Sequence, residues 1–160
     1  MNFSEAFRTG ANFGLTSGVL TTLGLIVGLH SGTHSRAAII GGVLTIAVAD
    51  ALSDALGMHI HEESENQHTP REIWVSTAAT LVTKFAMAAS FLLPLVILKL
   101  SYAIVASIAW GAIVLTLISF LLAREQHIHA GKVISEHLGI AALVVVLTHF
   151  VGDWTARLTS

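Results

Sequence analysis

Residues 39 to 67, IIGGVLTIAVADALSDALGMHIHEESENQ, decide how the chain is read. The stretch begins as an apolar run long enough to enter a bilayer, takes in Asp50 and Asp54, and ends in a cluster of His and Glu. On a helix Asp50, Asp54, Met58, His61 or Glu62, and then Glu65 follow one another at steps of three or four, so one face carries them all. That face reads as a ladder for a divalent cation leading from water into the membrane. A charge inside a spanning helix costs several kcal/mol unless it is partnered, so an ionisable residue there is by default a functional one. Two carboxylates one turn apart also repel, and a proton, a metal or a nearby cation must neutralise them.

The rest of the composition agrees with a membrane setting. The chain has 160 residues, 54% hydrophobic and 11% charged, with a mean hydropathy of +0.76. Soluble domains carry about 25% charged residues. An all-α, polytopic membrane protein is expected. The absence of cysteine excludes disulfides and thiolate metal sites, leaving oxygen, imidazole and thioether as metal ligands. A net charge of -2 gives no basic footprint for nucleic acid. Nine histidines against eight Lys and Arg make the charge sensitive to mild acid. The first twelve residues contain Glu5 and Arg8 and lack the apolar core of a cleavable signal, and they suit a short interfacial helix.

Five spans follow, at about 13–30, 37–58, 73–98, 102–123 and 138–155, forming a single domain with polar loops at 59–72 and 124–137. In the first span Gly10, Gly14 and Gly18 recur every fourth residue, as do Gly24 and Gly28, beside a stripe of Ser17 and Thr21. Small residues at that interval let two helix backbones approach, within the chain or across a dimer seam. Pro70 marks the start of the third span, which holds Lys84 in its apolar middle and Pro94 near its far end.

With five spans the termini lie on opposite sides. Arg8, Arg71, Arg124 and Lys132 fall on the N-terminal side and Arg36, Lys99 and Arg157 on the other, which orients the N-terminus inward. His59, His61, His68, His127, His129 and His137 gather on the N-terminal side with Glu62, Glu63, Glu65, Glu72, Glu125 and Glu136, whereas His30 and His34 lie opposite.

Imidazole and carboxylate suit Fe(II), Mn(II) and Zn(II), and the Met58 thioether disfavours Ca(II) and Mg(II). The pairs His59/His61 and His127/His129 cannot each chelate one ion on a helix, where their rings diverge, but can share a side in an extended loop. Lys84 has two readings. It is a structural partner of Asp50 and Asp54, or a gate that swings away when a cation arrives. His149 and Asp153, one turn apart, form a local hydrogen bond or continue a path to the far side.

Several segments resemble the vacuolar iron transporters, five-span proteins that move Fe(II) and Mn(II) out of the cytosol in exchange for protons. The first-span segment GLTSGVLTTLGLIVGL, Gly14 to Leu29, is similar to that family's GLSDG-type motif, and GVLTIAVADALS, Gly42 to Ser53, to its GAISMALGEYLS-type motif. The third-span ASFLLPLVIL with Pro94, and GIAALVVVLTHFVG from Gly139 to Gly152, are similar to the corresponding family helices. The likeness puts the family's second-span acidic residue at Asp50. It puts Ser17 where the family has an acidic residue and Ile46 where it has methionine, and the family's long Glu-rich cytosolic helices have no counterpart here.

The combined expectation is a homodimer with the Gly-rich first span near the twofold axis, exporting a divalent transition metal by proton exchange. The cargo is Fe(II) or Mn(II), with Zn(II) or Co(II) as further candidates, and no permanent cofactor is needed. Glu62, Glu65, His61 and His127 or His129 would collect the ion. Met58 and Asp54 would accept it, and Asp50, opposite Ser17 and Thr21, would hold it deep in the membrane, with Lys84 as gate. The expected location is a prokaryotic plasma membrane. Two rivals stand beside this one: an intramembrane metalloenzyme, disfavoured by the absence of an HExxH motif, and a transport-inactive structural or sensing relative.

Overall fold

A computed structural model describes residues 3–159, which form helices α1 (Phe3–Thr33), α2 (Arg36–Ser64), α3 (Pro70–Ser90), α4 (Leu92–Ile97), α5 (Leu100–Glu125) and α6 (Ala130–Thr159). With α3 and α4 taken as one span broken at Phe91, five segments are long and apolar enough to cross a membrane, consistent with a multi-pass membrane protein. Residues 1 and 2 of the expected interfacial segment lie outside the described residues. The remainder does not form a separate helix, because α1 runs unbroken from Phe3. Nothing in EAFRTGAN breaks a helix, and Gly10 is accommodated by packing.

The helix ends follow local chemistry. Ser35 caps α2 by accepting the Ala38 amide at 3.3 Å. Thr69 and Glu72 form a reciprocal capping box around Pro70, in which the Glu72 carboxylate accepts the Thr69 amide at 2.8 Å and the Thr69 hydroxyl accepts the Glu72 amide. Pro94 has no amide hydrogen to give to the Ser90 carbonyl four residues back, and the helix breaks between them at Phe91. Three residues with positive φ, His34, Asn66 and His127, sit just beyond the ends of α1, α2 and α5. At α5 the Ile128 amide returns to the Ala123 carbonyl at 3.0 Å, closing the helix as a Schellman turn.

Two expected boundaries move for these reasons. α2 continues six residues past Met58, so His59, His61 and Glu62 are helical, and α6 begins at Ala130, which leaves only a short polar turn after α5. The chain divides into two compact units. The first comprises Met1–Gly18 and Leu44–Ser90, the second Val19–Val43 and Phe91–Ser160.

In the first unit, α1 places Gly10, Gly14 and Gly18 against α3 at Ser76, Thr80/Thr83 and Met87. The approach is close enough for the Thr80 hydroxyl to donate to the Gly10 carbonyl at 3.1 Å. The buried stripe of α3 is Ile73, Ser76, Thr80, Lys84 and Met87, spaced at three and four residues. α2 contributes Ala47, Ala51, Ala55, Met58 and Glu62 to the same interior. Its opposite side, Leu44, Val48, Leu52, Leu56 and Ile60, is exposed, as a lipid-facing surface should be.

In the second unit the second glycine run of α1, Gly24, Gly28 and Gly32, lies against Val144, Thr148 and Gly152 of α6. Gly111 of α5 lies under Leu23 and Val19. Both glycine runs are therefore taken up by helix contacts inside the chain.

Candidate functional site

The chemistry of the first unit centres on Lys84, which is 1% exposed. Its Nζ is 2.7 Å from Asp50 Oδ2, hydrogen-bonds Asp54 Oδ2, and donates to Ser17 Oγ at 2.9 Å. Ser17 in turn donates to Asp54 Oδ2 at 2.6 Å. The close packing of α1 on α3 explains this reach: with glycine at 14 and 18, the lysine can pass along α1 to Ser17.

The two aspartates are not equivalent. Asp54 accepts two aligned hydrogen bonds. Asp50 lies at ion-pair distance from the ammonium, yet its Oδ2 is enclosed without an aligned hydrogen-bond donor. Lys84 answers both carboxylates where one unit of charge is expected to be left over, so a triad with both acids ionised is short of one positive charge. The aspartate side chains retain 29% and 21% of their exposure, so the charge deficit is reachable.

Beyond Asp54, α2 continues as Met58 and Glu62 at steps of four, which matches the expected ladder, but His61 and Glu65 leave it. His61 is 65% exposed and pairs with Glu65 at 3.6 Å, and Glu65 lies beyond the helix end. A cavity of about 310 Å³ lies between α1 and α2, lined by Thr9, Phe13, Gly57, Met58 and His61. It begins one turn beyond Asp54 and brings a thioether and an imidazole to the same space.

A residue missed in the expected site is His68. Its Nε2 lies 3.3 Å from Glu62 Oε2 and 3.1 Å from Glu65 Oε2, folding the α2–α3 turn back over the buried Glu62, which is 4% exposed. The only hint in the sequence was its place among other acidic and imidazole groups. His59 faces away, with Nδ1 3.1 Å from the Thr77 hydroxyl and its ring 4.7 Å from that of Trp74. The divergence of His59 and His61 follows from their helical spacing.

His127, His129 and Thr21 belong to the second unit. His127 and His129 are exposed, and His127 also holds the left-handed conformation that ends α5, a conformational role its metal-ligand reading did not include. Among the described residues no group of three or more His, Asp or Glu side chains is arranged to hold a metal ion. The first unit thus offers a charged triad and an adjoining cavity, not a preformed cage.

Comparison with protein-family models, curated proteins and solved structures returned no match. The functional argument therefore rests on the site.

Proposed function

We propose that the chain is a carrier of divalent transition metals, Fe(II) or Mn(II) foremost, that exports them from the cytosol in exchange for protons. The observation that carries this reading is the Lys84 triad, two half-covered aspartates sharing one buried ammonium within a span. Such a cluster is stable with one proton, or with a cation added as Lys84 withdraws, and not with neither, because an unbalanced buried charge costs several kcal/mol. Binding of metal and binding of proton then compete for the same oxygens, which is the requirement for exchange.

In this mechanism the cation is collected by Glu62, Glu65 and His61 and sheds water in the cavity beside Met58. Asp54 and then Asp50 receive it. Ser17 keeps Asp54 oriented, and Lys84 supplies the positive charge that holds the site closed when it is empty. The missing family ligands at Ser17 and Ile46 are replaced in this account by Asp54 and Met58 on α2.

Asp50 and Asp54 remain partly uncovered on the surface of a single chain, and lipid cannot solvate them. A homodimer covers them. Because the glycines of α1 are occupied within the chain, the twofold contact draws on the remaining surface of α1 and on α2 beside the aspartates. The N-terminus faces the cytoplasm in this reading, and the resemblance to vacuolar iron transporters supports the same assignment.

The triad itself also favours a second reading, a transport-inactive relative, since the Lys84 ammonium is already ion-paired with Asp50 and hydrogen-bonded to Asp54 and Ser17. Flux of Fe(II) and Mn(II) into proteoliposomes under a pH gradient separates the two. Transport requires flux from the wild-type chain and background flux from Asp50→Asn with its fold intact. Equal flux from both proteins removes Asp50 from the mechanism, and no flux from wild type leaves the inactive reading.

A further inference from the structure

Glu62 is called on to collect a cation, yet it is 4% exposed. It falls on the buried stripe of α2, one turn beyond Met58, and its Oε2 is enclosed without an aligned hydrogen-bond donor. A buried carboxylate oxygen left unmet costs free energy that a partner or a bound cation would recover. The group that covers it is the ring of His68, whose Nε2 lies 3.3 Å from Glu62 Oε2 and hydrogen-bonds Glu65 Oε2 at 3.1 Å.

The turn itself sets His68 in that position. Asn66, in the left-handed conformation, lies just past the end of α2 with its amide on the Glu63 carbonyl at 3.3 Å, and the Thr69–Glu72 capping box starts α3. Only Gln67 and His68 lie between these two stops. Gln67 is exposed, whereas the ring of His68 turns inward and is 11% exposed. Rotation about the His68 side-chain bonds uncovers Glu62 without unwinding either helix.

The ring is arranged to donate, not to ligate. A histidine that binds metal through Nε2 uses that nitrogen's lone pair, which puts the ring hydrogen on Nδ1, where it needs an acceptor. Nδ1 of His68 is enclosed and has none. With the hydrogen on Nε2 instead, the ring points a donor at two carboxylate oxygens, the place a cation would take.

We propose that His68 is an internal plug of the cation intake, its Nε2–H standing in for the divalent ion between Glu62 and Glu65. This rests on the reading of those two glutamates as collectors. An arriving ion displaces the ring. Two carboxylates with no third protein ligand leave the ion most of its water, which it sheds in the cavity beside Met58. The plug keeps Glu62 from standing unpartnered when no ion is present, and it sets the threshold at which one enters.

The sign of the effect separates a plug from a ligand. Binding of Mn(II) to the full-length protein in detergent is read from the loss of the electron-spin signal of free Mn(II). The sites counted are those lost when Glu62→Gln and Glu65→Gln are combined. His68→Ala removes the competitor, so these sites should bind Mn(II) about three- to tenfold more tightly. His68→Gln keeps an N–H at similar reach and should return the affinity to that of wild type. Weaker binding in both His68 variants makes the ring a ligand and overturns the plug, as does unchanged binding in His68→Ala. Should His68→Ala fail to fold, His68→Gln decides alone, since only a ligand loses affinity on that change. None of these results touches the collectors. If the paired Glu replacements leave Mn(II) binding as it is, the collecting role of Glu62 and Glu65 fails, and the plug fails with it.

Discussion

Helix α1 uses one packing device twice. Its first glycine run seats α3 around Lys84, Asp50 and Asp54, and its second seats α6 around Asp153 and the histidines. The difference lies in the cation. Lys84 is 1% exposed and lies against both aspartates, so its cluster has to balance charge within itself. The second cluster pairs imidazoles, not a lysine, with its carboxylate, and it lies at the helix ends with His149 54% and Asp153 39% exposed. One region encloses its charged groups and the other leaves them within reach of water.

Lys84→Met tests the first half of this contrast most severely. Leaving two carboxylates enclosed without their ammonium should cost about 3–5 kcal/mol, read as a lowered unfolding midpoint in mild detergent. Adding Asp50→Asn and Asp54→Asn to the same protein should recover most of the loss, since neutral groups of the same shape no longer need the charge. A loss in Lys84→Met no larger than that in Asp153→Asn would erase the distinction between the two clusters.

The glycines give the next test, and it separates the seams from open surface. At Gly152 an added side chain meets Ser31 and the α1 backbone, so Gly152→Val should cost about 1–3 kcal/mol. At Gly57 nothing lies within 4 Å of an added Cβ, and Gly57→Ala should stabilise the helix by up to about 1 kcal/mol. Thermal unfolding of the two variants should move in opposite directions. Because Gly57 lines the cavity beside Met58, the larger Gly57→Leu should lower metal flux in proteoliposomes without lowering the unfolding midpoint.

Much of this architecture was legible in the sequence because its causes are local. Apolar runs of spanning length, Pro70 after a threonine, and glycine at every fourth position each act within a few residues. They gave the five spans, the start of α3 and the existence of close helix contacts. The glycine pattern could not name its partner, since a small-residue face fits a neighbouring helix of the same chain as well as one of a second copy. The aspartates and Lys84 were legible as a set because charge in an apolar field must be balanced. That Ser17 joins them, and that Asp54 takes two hydrogen bonds while Asp50 takes none at Oδ2, depends on how α1 and α3 meet. His68 was overlooked as a site residue because its tie to Glu62 is made by the fold-back of a turn, and His127 was read for its ring when its backbone ends a helix.

The smallest expected effect is also the one that isolates exposure as the variable. Asp153 has a hydroxyl donor and an imidazole neighbour, the same kinds of partner that serve buried acids, yet its side chain keeps 39% of its exposure. Water replaces much of what a lost partner gives, so Asp153→Asn should lower the unfolding midpoint only slightly at neutral pH, measured beside Lys84→Met under identical detergent and salt. Raising the ionic strength should shrink even that difference, because an exposed pair is screened, whereas the enclosed Lys84 cluster should respond little. A salt-insensitive loss at Asp153 as large as that of Lys84→Met would mean that the end of α6 is held as firmly as the charged centre.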